Sequence, residues 1–234
     1  MVINVQQFID KVRIALDEVA RGIVDDFGSD FDNSIRQGLR YCLVDYIQRC
    51  PVSMLHGKML GIGVQTGEPE TENTDPVVEK YADGSGYVVM PSDYLRFIEF
   101  KLISWSSTVR DLIDPMSDEA RRQVTRWGRG TPHKPRCMMS IDRLGNKILR
   151  YWTAGRYSAS HSSVPSEIYD HRIDRLVYAP HPQWSGAGAT EQVNCALLEE
   201  YEKNIVYLTA AVVLESKQET ELAQRIRETF MNRE

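Results

Sequence analysis

The chain has 234 residues, 42% hydrophobic and 26% charged, with a formal net charge of −5. That length suits one large domain or a domain carrying an insertion, and the composition excludes wholesale disorder. The negative balance argues against a general polyanion binder, and no apolar run is long enough to span a bilayer.

The start, Met1-Val2-Ile3-Asn4-Val5, lacks the basic and apolar regions of a signal peptide, so synthesis and use in a cytosol are expected. Asn4 reads as an N-cap, with Gln7 completing a capping box and Ile3 and Phe8 placed as a hydrophobic staple. Val5, Phe8, Ile9, Val12, Leu16, Val19 and Ile23 follow on one helical face, with Gly28 as a C-terminal stop. A second helix is predicted from Ser29 or Asp30, with Phe31, Ile35, Leu39, Cys42, Leu43, Tyr46 and Ile47 on its apolar face. It must end before Pro51. The short link makes residues 1–51 an antiparallel helical hairpin.

Beyond Pro51 the pattern changes. Gly57, Gly61, Gly63 and Gly67 sit among short apolar pieces, and an acidic stretch from Glu68 to Asp83 reads as an exposed loop. Strands are predicted at Tyr87–Met90 and from Tyr94 to Leu102, with Tyr94, Ile98, Phe100 and Leu102 on one face. Ser117–Arg126 has helical composition and a Ser117/Ala120 start. Cys137–Ile141 and Lys147–Thr153 read as strands joined by a turn at Gly145-Asn146, and Ile173–Ala179 as a last strand closed by Pro180 and Pro182.

Gly186 and Gly188 mark the return to helix, with Thr190 as cap and a stripe of Val193, Leu197, Tyr201, Ile205, Leu208 and Val212. Apolar residues surround the helix between Ile205 and Leu214, so that stretch is expected to be buried all round. Ser216 and Glu219 read as a further capping box before the narrower stripe Leu222, Ile226 and Phe230. Either one helix bends at Ser216 or two meet there. The expected class is α+β: a helical bundle made from the N-terminal hairpin and the C-terminal helices (183–234), with a β-rich insertion over 52–182. Val12, Leu16, Leu39, Leu43, Tyr201, Ile205, Leu208 and Val212 are its predicted core.

No catalytic or cofactor signature emerges. The run Gly61–Gly67 lacks the spacing, the following helix and the lysine of a phosphate loop, and reads as a hairpin turn. His56, His133, His161, His171 and His181 show no metal-type spacing and read as surface loop residues. Cys42, Cys50, Cys137 and Cys195 are scattered and read as reduced, mostly buried thiols. Tyr151, Trp152, Tyr157, Tyr169, Tyr178 and Trp184 suit sheet or interface packing better than sugar binding. The one charge feature above background is Arg121, Arg122, Arg126, Arg129, Lys134 and Arg136, with Trp127 and His133 among them. It is either a phosphate-facing surface or one side of a protein interface, and the negative total charge favours the interface.

The order of parts resembles the head–tail connector proteins of tailed bacteriophages, also called adaptor, ring or head-completion proteins. Met90-Pro91-Ser92-Asp93-Tyr94-Leu95-Arg96-Phe97 is similar to that family's Leu-Pro-x-Asp-(apolar)-Leu lead-in to a strand. Leu176-Val177-Tyr178-Ala179-Pro180-His181-Pro182 resembles its late strand ending in prolines, and Tyr207–Leu214 its C-terminal helix. The likeness is nearest to ring proteins of crAss-like short-tailed phages, although the 68–83 and 153–172 loops are less typical.

The resemblance implies a non-enzymatic virion protein, assembled in the host cytoplasm and needing no cofactor or metal. It implies a ring, usually of twelve copies, that docks beneath the portal at the head–tail junction. Such a ring extends the DNA channel without sequence-specific binding, and joins a downstream tail or ring protein. Leu222, Ile226 and Phe230, flanked by Arg225 and Arg227, are the candidate portal-docking residues, read either as a helix-in-groove arm or as the stripe that finishes the bundle core. The acidic Glu68–Asp83 stretch is expected to face the basic Arg121–Arg136 stretch of a neighbouring copy. The competing class is a nucleic-acid-binding module using residues 121–136.

Overall fold

Asn4 Oδ1 accepts the Gln6 amide at 2.8 Å, and this cap starts α1 (Val5–Val19). The computed structural model describes residues 2–19, 30–55, 57–61, 78–81, 84–125, 128–153 and 171–228. Ile23 and Gly28, assigned above to the first helix and its stop, lie outside those residues. One face of α1, formed by Val5, Phe8, Ile9, Val12, Ala15 and Leu16, is buried, and Ile3 beside it is buried too. α2 (Phe31–Arg49) buries Phe31, Ile35, Leu39, Cys42, Leu43 and Ile47, and stops before Pro51. The expected face residue Tyr46 is only half-buried.

The chain divides into two compact units, Met1–His56 with His181–Glu234, and Gly57–Pro180. In the first, α1 and α2 pack on α4 (Leu197–Ser216), and α5 (Thr220–Ile226) packs on α4 and α1. α2 approaches α4 closely at Gly38, where an added Cβ would lie 3.1 Å from Val213 Cγ2 and 3.4 Å from Thr209 Cγ2. Thr209 is fully buried and satisfies its hydroxyl by donating to the Ile205 carbonyl at 2.7 Å.

The return to helix differs from the sequence expectation. Thr190 does not cap a helix. It ends a 3₁₀ turn, Gly188–Thr190, and its hydroxyl bonds back to the Ala187 carbonyl. Val193 lies in a strand. β1 (Val2–Asn4), β10 (Gln192–Asn194) and β9 (Gln183–Ser185) form a small antiparallel sheet with β10 central. Glu191, between the turn and β10, accepts a hydrogen bond from Arg40 at 2.7 Å and forms an ion pair with Arg36 at 3.4 Å, and the Arg40 guanidinium lies 4.8 Å above the Trp184 ring.

The phase of α4 also differs. Ile205, Val206, Thr209, Ala210, Val213 and Leu214 are buried, while Tyr201, Leu208 and Val212 are half-buried. Tyr201 sits at a kink in the helix, with φ −117° and ψ 21°.

Two helices, not one, close the described chain. Ser216 is the last residue of α4 and donates to the Val213 carbonyl, so it is no N-cap, and Glu219 makes no side-chain cap bond to α5. The link is a Schellman turn: Gln218 N–H donates to Glu215 O and Glu219 N–H to Leu214 O, both at 3.0 Å. Gln218 takes the left-handed position at φ 68°. Gln218→Gly should therefore stabilise the chain, by about 1 kcal/mol in denaturant titrations. A loss of stability would show that the Gln218 side chain matters more than its backbone angle.

The second unit is two antiparallel sheets: β2 (Lys58–Leu60), β8 (Ile173–Pro180) and β5 (Tyr94–Leu102) in the order β2-β8-β5, and β3 (Val78–Lys80), β4 (Gly86–Val89), β7 (Lys147–Trp152) and β6 (Arg136–Ile141) in the order β3-β4-β7-β6. One apolar core takes residues from both, among them Phe100, Leu176, Tyr178, Leu149, Tyr151 and Cys137. β5 does not keep the expected alternation. Its pairing with β8 shifts register at Tyr94/Arg96, Phe97/Glu99 and Lys101/Leu102, so Phe97 and Glu99 turn inward while Ile98 stays half-exposed. The β6–β7 turn is held by Asp142, whose carboxylate accepts the Leu144 and Asn146 amides and the Asn146 side chain. The Asn146 hydrogen bond leads the causes that hold that carboxyl below its usual range.

All four cysteines are buried thiols outside any disulfide. Burial pushes Cys42 from an ordinary value near 9 to about 12, and Cys137 is likewise raised. Alkylation of the native protein near pH 8 should be slow at every cysteine and complete only on unfolding. Stability linked to Cys42 is intact below about pH 9, where the thiol is protonated folded or unfolded. It declines as pH rises towards 12, because only the unfolded thiol ionises freely. Rapid labelling of native Cys42 would contradict this.

Candidate functional site

The basic stretch is organised by a residue that carries no charge. Ser117 Oγ accepts the Ala120 amide at 3.2 Å and starts the short α3 (Asp118–Gln123). Gln123, at its end, is 2% exposed. Its side-chain amide donates to Glu119 O at 3.2 Å and Gly128 O at 3.1 Å, while its Oε1 accepts the Gly130 amide at 2.9 Å. Arg129 Nε donates to the Gln123 carbonyl at 3.1 Å. Gly130 has no room for a Cβ, which would lie 2.5 Å from Trp152 O. Further along, Thr131 and Lys134 exchange backbone hydrogen bonds, and Ser106 Oγ sits 2.8 Å from His133 Nδ1.

The result is a cleft of about 400 Å³ whose charged lining is Arg122, Arg129, Lys134 and Arg136 with Glu119. Glu119 is itself paired to Arg136 at 2.8 Å. Of the six cations singled out by sequence, these four come together. Arg121 lies outside the lining, beside Asp118 at 3.4 Å and largely exposed. Arg126 and its neighbour Trp127 are outside the described residues, as are residues 68–77, 82 and 83 of the acidic stretch.

Gln123 was invisible to sequence reasoning, because a glutamine in a basic segment has no pattern that marks it as buried. Gln123→Ala should cost about 2–4 kcal/mol by leaving buried backbone groups unpaired, and should loosen the cleft. Amide exchange at Gly130 would report this, and unchanged protection would mean that Gln123 is not the clamp.

The candidate docking stripe is altered. Ile226 is fully buried, with Ala223, and finishes the helical core instead of standing free. Leu222 is half-buried, Arg225 is exposed, and Arg227 pairs with Glu215 at 2.7 Å. Phe230 lies outside the described residues. An apolar groove elsewhere in the helical unit, about 240 Å³ between α1 and α4, includes Ile14 at 61% exposure and Val206.

Other sequence assignments find local explanations. His171 is not a free surface histidine. It is half-buried, with Nδ1 2.6 Å from Tyr151 Oη. Tyr151, Trp152 and Tyr178 are buried sheet residues, while Tyr157, Tyr169, His56 and His161 are outside the described residues. Asp93, in the lead-in to β5, accepts Tyr178 Oη at 2.8 Å and Lys58 at 2.6 Å, so one carboxylate links all three strands of its sheet. Burial comes first, ahead of Asp93, among the causes that raise the Tyr178 phenol above its ordinary range. Among the described residues, no helix is long and apolar enough to cross a membrane and no group of three or more His, Cys, Asp or Glu could hold a metal ion.

In comparison with known proteins, no family model matches the chain and no curated protein matches it.

Proposed function

We propose that the chain is a non-enzymatic virion protein, a head–tail connector subunit that forms a ring beneath the portal, extends the DNA channel and joins the tail. In this reading the terminal helices form a bundle interrupted by the β-rich insertion. The observation that carries it is the meeting of the two stretches with the connector resemblance. Residues 90–97 and 176–182 contribute neighbouring strands, β5 and β8, and Asp93 of one bonds Tyr178 of the other. The shared unit made by residues 1–56 and 181–234 adds support, because it leaves 57–180 as an insertion between helices.

With Ile226 buried, the exposed polar side of α5 around Arg225 becomes the portal-facing surface in this proposal. Electron microscopy of the chain mixed with the portal of its own virus should give a ring seated on the portal, and antibody to the chain should label the head–tail junction. Absence from purified virions would overturn the reading. Arg225→Glu should weaken portal association with stability unchanged; equal binding by that variant would move the docking face elsewhere.

A further inference from the structure

We infer that the basic cleft is a binding site for a phosphomonoester, a small molecule held by its dianionic phosphate group. This goes beyond the connector reading and does not depend on it. The cleft measures about 400 Å³, within the range of about 300–1,000 Å³ usual for small-molecule sites. Such sites are mostly apolar, whereas charge dominates here: the described lining has four cations, one carboxylate and no aromatic ring.

The cations come from three pieces of chain and are held together against their mutual repulsion. Arg122 belongs to α3, Arg129 and Lys134 to the loop after it, and Arg136 is the first residue of β6. Two glycines let these pieces meet. A Cβ on Gly128 would lie 2.6 Å from Arg122 O, and one on Gly130 would lie 2.8 Å from Arg136 N, so the loop runs flush against the segments that carry both arginines. Buried Gln123 ties the Gly128 carbonyl and the Gly130 amide to the end of α3. Glu119 neutralises Arg136. Among the described residues no acid pairs with Arg122 or Lys134, and both are exposed on the cleft wall. Like charges gathered in this way repel while the cleft is empty, and a bound anion relieves that repulsion.

The surplus identifies the anion. With Arg136 paired, three positive charges remain on Arg122, Arg129 and Lys134. A carboxylate brings one charge and two oxygens, which a single guanidinium fork satisfies. A phosphomonoester brings about −1.5 to −2 charges at pH 7 and three terminal oxygens, enough to engage two forks and an ammonium together. A nucleic-acid duplex fits less well. Its phosphates are singly charged and spread along a convex rod, the chain's net charge of −5 repels it, and the described lining offers no ring to stack a base.

The test is titration of the nitrogen-15-labelled full chain with ribose 5-phosphate, inorganic phosphate and plain ribose, read at the Gly128 and Gly130 amide resonances. Both phosphates should shift these resonances saturably, and ribose should not. Arg122→Gln combined with Lys134→Gln alters only exposed side chains, and should weaken ribose 5-phosphate binding at least about tenfold with the circular dichroism spectrum unchanged. The wild-type comparison of ribose with ribose 5-phosphate decides the matter even if that variant folds poorly. No saturable shift at millimolar phosphate, equal shifts with ribose, or undiminished binding by a folded variant would each overturn the inference. A short DNA duplex that binds more tightly than ribose 5-phosphate, and is lost in the same variant, would assign the cleft to a nucleic-acid backbone and overturn it too.

Discussion

Phe100→Ala is expected to destabilise the β-rich unit by about 3–5 kcal/mol, among the largest effects available from one side chain. Phe100 is fully buried, with its ring edge-on to Trp105 at 5.3 Å and tilted against Tyr151 at 6.0 Å. Its backbone also exchanges two 2.9 Å hydrogen bonds with Val109, so the strand and the following loop meet at this residue. Trp105 is fixed in turn by donation to Thr153 at 2.7 Å. Removing the ring opens a cavity whose walls are already tied by hydrogen bonds and relax poorly. Chemical denaturation followed by tryptophan fluorescence measures the loss, and Phe100→Leu should recover most of it. A loss below about 1 kcal/mol would mean that the aromatic cluster does not hold this unit together.

Removal of residues 219–234 should be as damaging to the helical unit, costing at least about 3 kcal/mol. α5 buries Ala223 and Ile226 completely, and the truncation uncovers the faces of α4 and α1 on which it packs. Ile226→Ala alone should cost about 2–5 kcal/mol. Circular dichroism and denaturant titration of both variants check this. A truncated chain of native stability would show that α5 is dispensable to the core, and would restore the idea of a free arm. Loss of portal binding by the truncation would therefore say little about docking, whereas the exposed Arg225 can be altered without opening the core.

The parts of the fold readable from sequence are those where one physical signal dominates. α1 and α2 have a single apolar face and terminal signals in Asn4 and Pro51. The β6–β7 hairpin has Asp142, Gly145 and Asn146 at its turn. Where two signals compete, the reading slips. α4 is apolar on nearly every side, so its pattern carries no phase, and Leu208 and Val212 were assigned a depth that belongs to Thr209, Ala210 and Val213. β5 seemed to alternate because its bulges cannot be seen in one dimension. Residues 183–194 resembled a helix start, although β10 exists only because β1 and β9 lie on either side of it. At the candidate site the charges were legible and their assembly was not. Four cations meet because an uncharged, buried Gln123 gathers the backbone beneath them.

The pairing of Val2–Asn4 with Gln192–Asn194 sets an order in time as well as in space. A ribosome adding about 5–20 residues per second needs roughly 10–30 s to pass from the end of α2 to the end of α4. Through that interval the apolar faces of α1 and α2 have no complete α4 to cover them, while residues 57–180 are finished, and free to fold, before α4 begins. The middle of the chain thus matures before its beginning. A free chain truncated after residue 190 should carry a protease-resistant centre and a digestible N-terminal hairpin, which is protected only in chains that include the last helices.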